Sequence, residues 1–271
     1  MSALSKEHPR SAFLMNRNVQ PDHPNGVRAD RVFLTAEWQH LAMLNYEVDP
    51  LLLASFIPEG TALDRWNGKV FISPVGFQFL QTKLFGFLQI PMHSNFDEVN
   101  LRFYVRRQSV GHAYNEVRRG VAFIREVVQR RAIAFVARTF YKENYVALPM
   151  AHEIRPIGDN GLSVTYRWQS GKRWNEINLK TQGNSELPGA GSVEQFITEH
   201  YWGYAAQPDG GSMEYRVTHP SWRVWQIQQS AFQGDAQELY GEEIAAVLRG
   251  KPHSAFLAEG SAVTVMRGRR L

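Results

Sequence analysis

Residues 95–107 read NFDEVNLRFYVRR. Side chains alternate across a β-strand with a period of two. Leu101, Phe103 and Val105 therefore form one apolar row, and Glu98, Asn100, Arg102, Tyr104 and Arg106 form the opposite row. An antiparallel strand ordinarily turns such a charged row to water. A sheet closed on itself offers the other solution, in which the polar row faces an enclosed interior. The choice decides whether the chain carries a site or only a solvated surface.

The neighbouring segments argue for a sheet. VFISPVGFQFL (70–80), GVAFIREVV (120–128), AIAFVARTFY (132–141), LSVTYRW (162–168), SMEYRVTH (212–219), WRVWQIQQSAF (222–232) and SAVTVMRG (261–268) are rich in β-branched and aromatic residues. QRRA (129–132) suits a tight turn, which predicts an antiparallel hairpin over 121–141. Three helices interrupt the strands. Asp49 caps a short one, with Pro50 in its first position and Pro58 beyond its end. Ser192 and Gln195 form a capping box ahead of Val193, Phe196, Ile197, His200 and Tyr201, which share one helical face. Asp235 and Glu238 repeat the box for a helix expected over 236–249 and ended by Gly250. The pattern predicts a β-rich α+β fold, an antiparallel cone or barrel with about three helices.

Residues 1–30 carry scattered Pro, Asn and charge without a period, and are expected to form a mobile N-terminal arm. Residues 31–271 are expected to form a single domain, since PIGDNG (156–161), GNSELPGAG (183–191) and QPDGGS (207–212) are each short enough to be internal loops. With 271 residues, 44% hydrophobic, the chain can bury a large core. The absence of cysteine excludes disulfides, thiolate metal sites and cysteine nucleophiles. A formal charge of +4 is too small to argue nucleic-acid binding by itself. No apolar run is long enough for a membrane span and no secretion signal is evident, so the expected compartment is the cytoplasm.

The common catalytic signatures are missing: there is no G-x-S-x-G elbow, phosphate-binding loop, dinucleotide fingerprint or H-E-x-x-H. The nine histidines show no metal-ligand spacing, so no metal and no cofactor are expected. The strands offer more. Strict alternation puts Arg125 on the face of Val121 and Phe123 with Glu126 opposite, and aligns Arg138 with Ala134, Val136 and Phe140. An arginine among strand-interior apolar neighbours needs a partner, and Glu98 and Glu126 are partners of the right type. Were these faces to converge, they would enclose Arg–Glu pairs lined by Tyr104, Tyr141 and Tyr145. Such a box suits a small carboxylate or another polar, planar molecule, because arginine presents a rigid donor fork.

The stretches from FLTAEWQHLAMLNYEVDPLLLASFIPEG through NFDEVNLRFYVRR, GVAFIREVVQRRAIAFVARTFYKENYVALPM and VTYRW resemble the uncharacterised YqjF-like family, a domain of unknown function. The likeness runs from about Val32 to Met266. That family is similar in fold to acetoacetate decarboxylase, which implies a cone or barrel-like sheet around a central site, and so an inward-facing row at 98–104. Acetoacetate decarboxylase works through a Schiff-base lysine. Within ARTFYKENYVALPM, Arg138 matches that family's strand arginine and Tyr141 its aromatic position, but the lysine pair falls near Tyr145 and Val146. Lys142 comes about three residues early and reads as a solvated turn lysine.

The sequence therefore predicts a pocket for a small organic acid or carbonyl compound. Glu98 and Glu126 are the candidate acid/base groups. Asn100, Arg102, Tyr104, Arg125, Arg138, Tyr141 and Tyr145 are the candidate ligand-binding residues. The pocket serves either an enzyme of lyase or hydrolase type without a Schiff base, or a non-catalytic binding protein. A nucleic-acid or protein interaction module on the basic strands and the MRGRRL tail ranks last, because its arginines lie within strands without interleaved exposed aromatics. A homodimer would cover open sheet edges.

Overall fold

The computed structural model describes residues 31–89, 94–110, 115–129 and 144–271. The expected arm at 1–30 and the second arm of the expected 121–141 hairpin lie outside these residues, and Arg138, Tyr141 and Lys142 with them. Among the described residues fifteen strands join in one sheet. In chain order they are β1 (Val32–Glu47), β2 (Ala62–Leu63), β3 (Phe71–Leu84), β4 (Leu88–Gln89), β5 (Phe96–Val110), β6 (Asn115–Val128), β7 (Tyr145–Ala147) and β8 (Met150–Ile157). Then follow β9 (Gly161–Ser170), β10 (Arg173–Glu186), β11 (Trp202–Ala206), β12 (Ser212–Thr218), β13 (Val224–Gln233), β14 (Ser254–Met266) and β15 (Arg269–Arg270).

The pairing order β12-β11-β6-β5-β3-β1-β14 returns on itself, because Val217 and Thr218 of β12 also pair with Val265 and Thr264 of β14. Seven strands thus wrap into a ring. From β14 a second run, β13-β10-β9-β8, folds back over the outside. Pairing is antiparallel except where β6 meets β7 and β11.

Closure explains why residues 96–105 of β5 are buried on both faces. Leu101, Phe103 and Val105 pack outward into a core shared with Val164, Tyr166, Trp168, Ile177 and Leu179 of the overlying strands. Gly76 of β3 marks the closest approach of the two layers: a Cβ there would lie 2.6 Å from the Tyr166 ring. The inner face carries a second cluster that includes Leu41, Met43, Phe77, Phe79, Phe96, Tyr104 and Trp222.

The first helix lies where the sequence places it, and the other two are shorter than it predicts. The first is a 3₁₀ segment, Pro50–Phe56, with the Asp49 carboxylate accepting from the Leu51 N–H at 2.9 Å. The second spans Val193–Thr198, where Ser192 Oγ accepts from the Gln195 N–H at 3.1 Å. It stops before His200 and Tyr201, because strand pairing has already begun: the Val217 N–H donates to the Tyr201 carbonyl at 2.8 Å. The expected 236–249 helix is two pieces, Gln237–Tyr240 and Glu242–Leu248, broken where Gly241 adopts φ +82°. That conformation is open to glycine and cannot continue a right-handed helix. Glu238 does not close a capping box; it accepts from Ser170 Oγ at 2.7 Å.

Candidate functional site

A cavity of about 130 Å³ lies inside the ring, and every one of the seven ring strands contributes to its wall. One water needs roughly 10–15 Å³ on this measure, so the space suits a compact organic molecule. Trp38, Phe77, Phe79, Phe96, Phe123 and Trp222 supply apolar walls. The polar side chains among them are Glu98, Asn100, Arg102, Glu126, Tyr145, Thr82, Thr198, His200 and His219.

The polar row of β5 thus faces inward. Asn100 Nδ2 donates to Glu98 Oε1 at 2.9 Å, and the Tyr145 hydroxyl donates to Glu98 Oε2 at 3.3 Å. Burial pushes the Glu98 carboxyl up to about 7, against the opposing pull of those two hydrogen bonds and of Arg102.

Arg102 is 7% exposed. Among the described residues its guanidinium makes no ion pair. Its contacts are Met43 Sδ at 3.6 Å and the Tyr104 ring, 5.7 Å from Cζ to centroid, and its Nε has no hydrogen-bond partner. A buried cation in this state is costly unless an anion joins it. Asn100 Oδ1, Thr82 Oγ1, Trp38 Nε1 and His200 Nδ1 also lack partners among the described residues, and all belong to cavity-lining side chains. Tyr104 is not part of the lining: its hydroxyl donates to Ser73 Oγ at 2.8 Å, and its ring lies against His200 and Phe196.

Strict alternation misplaces two residues of β6. The register slips between the pairs Leu101–Arg125 and Arg102–Phe123, so Ile124 is one residue too many. This β-bulge swaps the faces beyond it. Val121, Phe123 and Glu126 consequently line the cavity. Arg125 turns to the outer side, where its charge acts on Tyr240, and its buried Nε has no partner among the described residues. The expectation that Arg125 belongs with Glu98 is corrected accordingly. Glu126 stands across from Asn100 and beside Tyr145 of β7. Arg138 and Tyr141 lie outside the described residues.

Sequence reasoning missed an imidazole pole. His200 follows the Val193–Thr198 helix, and its Nε2 sits 3.1 Å from Asp64 Oδ2. Burial lowers the His200 pKa to about 4 despite that contact, with Arg119 and Arg102 adding to the effect. Burial alone would raise the Asp64 carboxyl, but hydrogen bonds from His200 and Arg119 hold it below its ordinary value. His219 stacks on Trp222 at 4.0 Å and donates from Nδ1 to the Pro220 carbonyl at 2.9 Å. The only trace of His200 in the sequence is a histidine on an apolar helical stripe; His219 leaves none.

Among the described residues no lysine lines the cavity, and no group of three or more metal-ligating side chains comes together. No described helix is long and apolar enough to cross a membrane.

A ring-shaped, mostly antiparallel sheet around a central cavity, overlaid by a second run of strands, is the acetoacetate decarboxylase type of fold. The chain is similar to acetoacetate decarboxylase from Legionella pneumophila over 93% of each chain, with a TM-score of 0.60 and 11% identity. It is also similar to an acetoacetate decarboxylase-like enzyme from Sphingomonas wittichii RW1 (TM-score 0.58, 13% identity, 88% of this chain and 93% of that one). The enduracididine biosynthesis enzyme MppR complexed with pyruvate matches with a TM-score of 0.59 and 13% identity, over 90% of this chain and 91% of that one. Residues 35–262 match the model of DUF2071, described as an uncharacterized conserved protein, and the chain belongs to that family. No curated protein matches it in sequence.

Proposed function

We propose that the protein takes a small organic acid or carbonyl compound into the ring, with Arg102 holding its anionic group and Glu98 exchanging a proton with it. The observation that carries this reading is Arg102 itself, a buried guanidinium on the cavity wall without an ion pair among the described residues. A carboxylate is the natural complement of its planar donor fork. Asn100 and Tyr145 orient Glu98, whose titration near neutrality suits a general acid or base. Glu126 borders the same space. The pyruvate bound to the structurally similar MppR gives a size class for the guest.

In the sequence the lysine-pair position falls near Tyr145 and Val146, which favours chemistry without a Schiff base, or binding without chemistry. The third reading, a basic interaction surface, loses three of its arginines to one carboxylate: Glu214 pairs with Arg107, Arg118 and Arg269.

NMR titration with pyruvate, acetoacetate and lactate tests the proposal. At least one of these acids binds the wild type, and Arg102→Met weakens it roughly tenfold or more. Unchanged affinity in Arg102→Met, or no binding of any acid to the wild type, overturns the reading. Glu98→Gln then separates its two forms. An enzyme keeps its affinity and loses conversion of the bound acid; a binding protein shows no conversion in either variant.

A further inference from the structure

The hydrogen-bonding inventory around Arg102 is lopsided. Arginine brings donors only. Three neighbouring groups on the wall have already committed their own donors. His219 Nδ1 lies 2.9 Å from the Pro220 carbonyl. A carbonyl only accepts, so the proton is on Nδ1, and Nε2 of the neutral ring carries a lone pair. Burial favours the neutral ring, against the carbonyl contact. Stacking on Trp222 at 4.0 Å and the Tyr201 ring at 4.7 Å hold the imidazole in place.

His200 repeats the arrangement. Its Nε2 faces the Asp64 carboxylate, which accepts, leaving Nδ1 as the bare nitrogen without a partner among the described residues. Arg119 Nη2 stands 3.5 Å from the same Nε2, but that arginine bonds Asp64 through Nε at 2.6 Å, and the shorter contacts fix the tautomer. Thr198 Oγ1 donates to the Glu194 carbonyl at 2.8 Å and keeps only lone pairs. Arg102, His200, His219 and Thr198 all line this cavity, and the Arg102 charge acts on both imidazoles.

We infer that this pole selects a hydroxy acid: the carboxylate meets Arg102, and the adjacent hydroxyl donates to His219 Nε2. The inference rests on the small-acid reading above and adds what the acid must carry. An acid without the hydroxyl brings no donor to the Nε2 lone pair, and a site built to bond a hydroxyl discriminates against such a guest far more than an apolar site does.

Two matched pairs test it: lactate against propionate, and malate against succinate, titrated at pH 7 by calorimetry or NMR. The wild type binds the hydroxy member of at least one pair about tenfold tighter. His219→Phe keeps the ring stack on Trp222 but lacks the acceptor, and its ratio falls to near one. His219→Gln retains an acceptor and retains the preference. Equal wild-type affinities within both pairs, or a ratio that survives in His219→Phe, overturns the inference and leaves the small-acid reading standing. No binding of any of the four acids to the wild type overturns the inference, and where pyruvate and acetoacetate also fail to bind, the small-acid reading falls with it. The wild-type ratio decides even where a variant fails to fold.

Discussion

Glu98 and His200 border one cavity yet titrate in opposite senses. The Glu98 carboxyl sits at about 7 in the folded chain, above its ordinary 4.5. The folded state then holds this proton more tightly than the unfolded state does. Its contribution to stability is complete below pH 4.5 and is lost as pH rises toward 7, on the order of 3 kcal/mol in all. His200, lowered to about 4 from 6.5, contributes in the other direction: its stability is complete above pH 6.5 and is lost as pH falls toward 4. Between pH 4.5 and 6.5 the two largely offset each other. Glu98→Gln removes one of them. The variant should gain roughly 1–3 kcal/mol relative to the wild type at pH 8 compared with pH 5, read from urea denaturation at both values. Parallel pH profiles for the two proteins would show that Glu98 is not desolvated. The shared row of β5 was legible in the sequence because alternation along 98–104 is unbroken, but its inward direction came only through the family resemblance. Arg125 and Glu126 were not, because a bulge at Ile124 depends on cross-strand register, which a single strand's pattern does not contain.

At the scale of elements, the same distinction separates what is local from what is not. Caps at Asp49 and Ser192 act within a few residues, and both form as the sequence predicts. The break at Gly241 was visible as a glycine inside a helical stretch, but its φ of +82° is set by how the two short helices pack. The anchoring of β15 was invisible. It rests on Glu214 of β12, whose side chain is fully buried and receives Arg107 at 3.3 Å, Arg118 at 2.8 Å and Arg269 at 2.7 Å, with the Tyr204 hydroxyl at 3.1 Å. Burial would raise this carboxyl, but the three arginines hold it below its ordinary value. Those arginines come from β5, β6 and β15, so one carboxylate ties three strands to a fourth. Glu214→Gln leaves three guanidinium groups crowded without their counter-charge. A loss of roughly 2–4 kcal/mol is expected by chemical denaturation, less than for a fully buried cluster because Arg269 keeps access to water. Raised salt should narrow the gap by screening the arginines from one another. A loss below about 1 kcal/mol would mean that the cluster is loosely held.

The whole molecule depends on contacts between distant parts of the chain. β1 and β14 pair from Val32 against Met266 to Asn45 against Ser254, joining the two ends of the described fold. β14 also meets β12 and β13, so it closes the ring and anchors the overlying run of strands at once. None of this is written in local periodicity. Dense β-branched segments revealed many of the strands, but a polar one such as β10 was passed over, and strand order was not read from the sequence at all. The arrangement makes a sharp prediction about truncation. Ending the chain at Met266 removes β15 and the Arg269 contact with Glu214, but keeps every strand of the ring. This form should remain cooperative, weakened by an amount no larger than the loss in Glu214→Gln. Ending it at Gly250 removes β14 and leaves β1 and β12 without their shared partner, so the cavity has no wall on that side. Fluorescence from Trp38 and Trp222, both on the cavity wall, reports the difference. The 1–266 form should unfold in one sigmoidal urea transition, and the 1–250 form should show none, because the free energy of so non-local a sheet arrives only when the ring closes. A cooperative transition in the 1–250 form would mean that the ring strands fold without closure, and that the cavity is not the organising feature of the molecule.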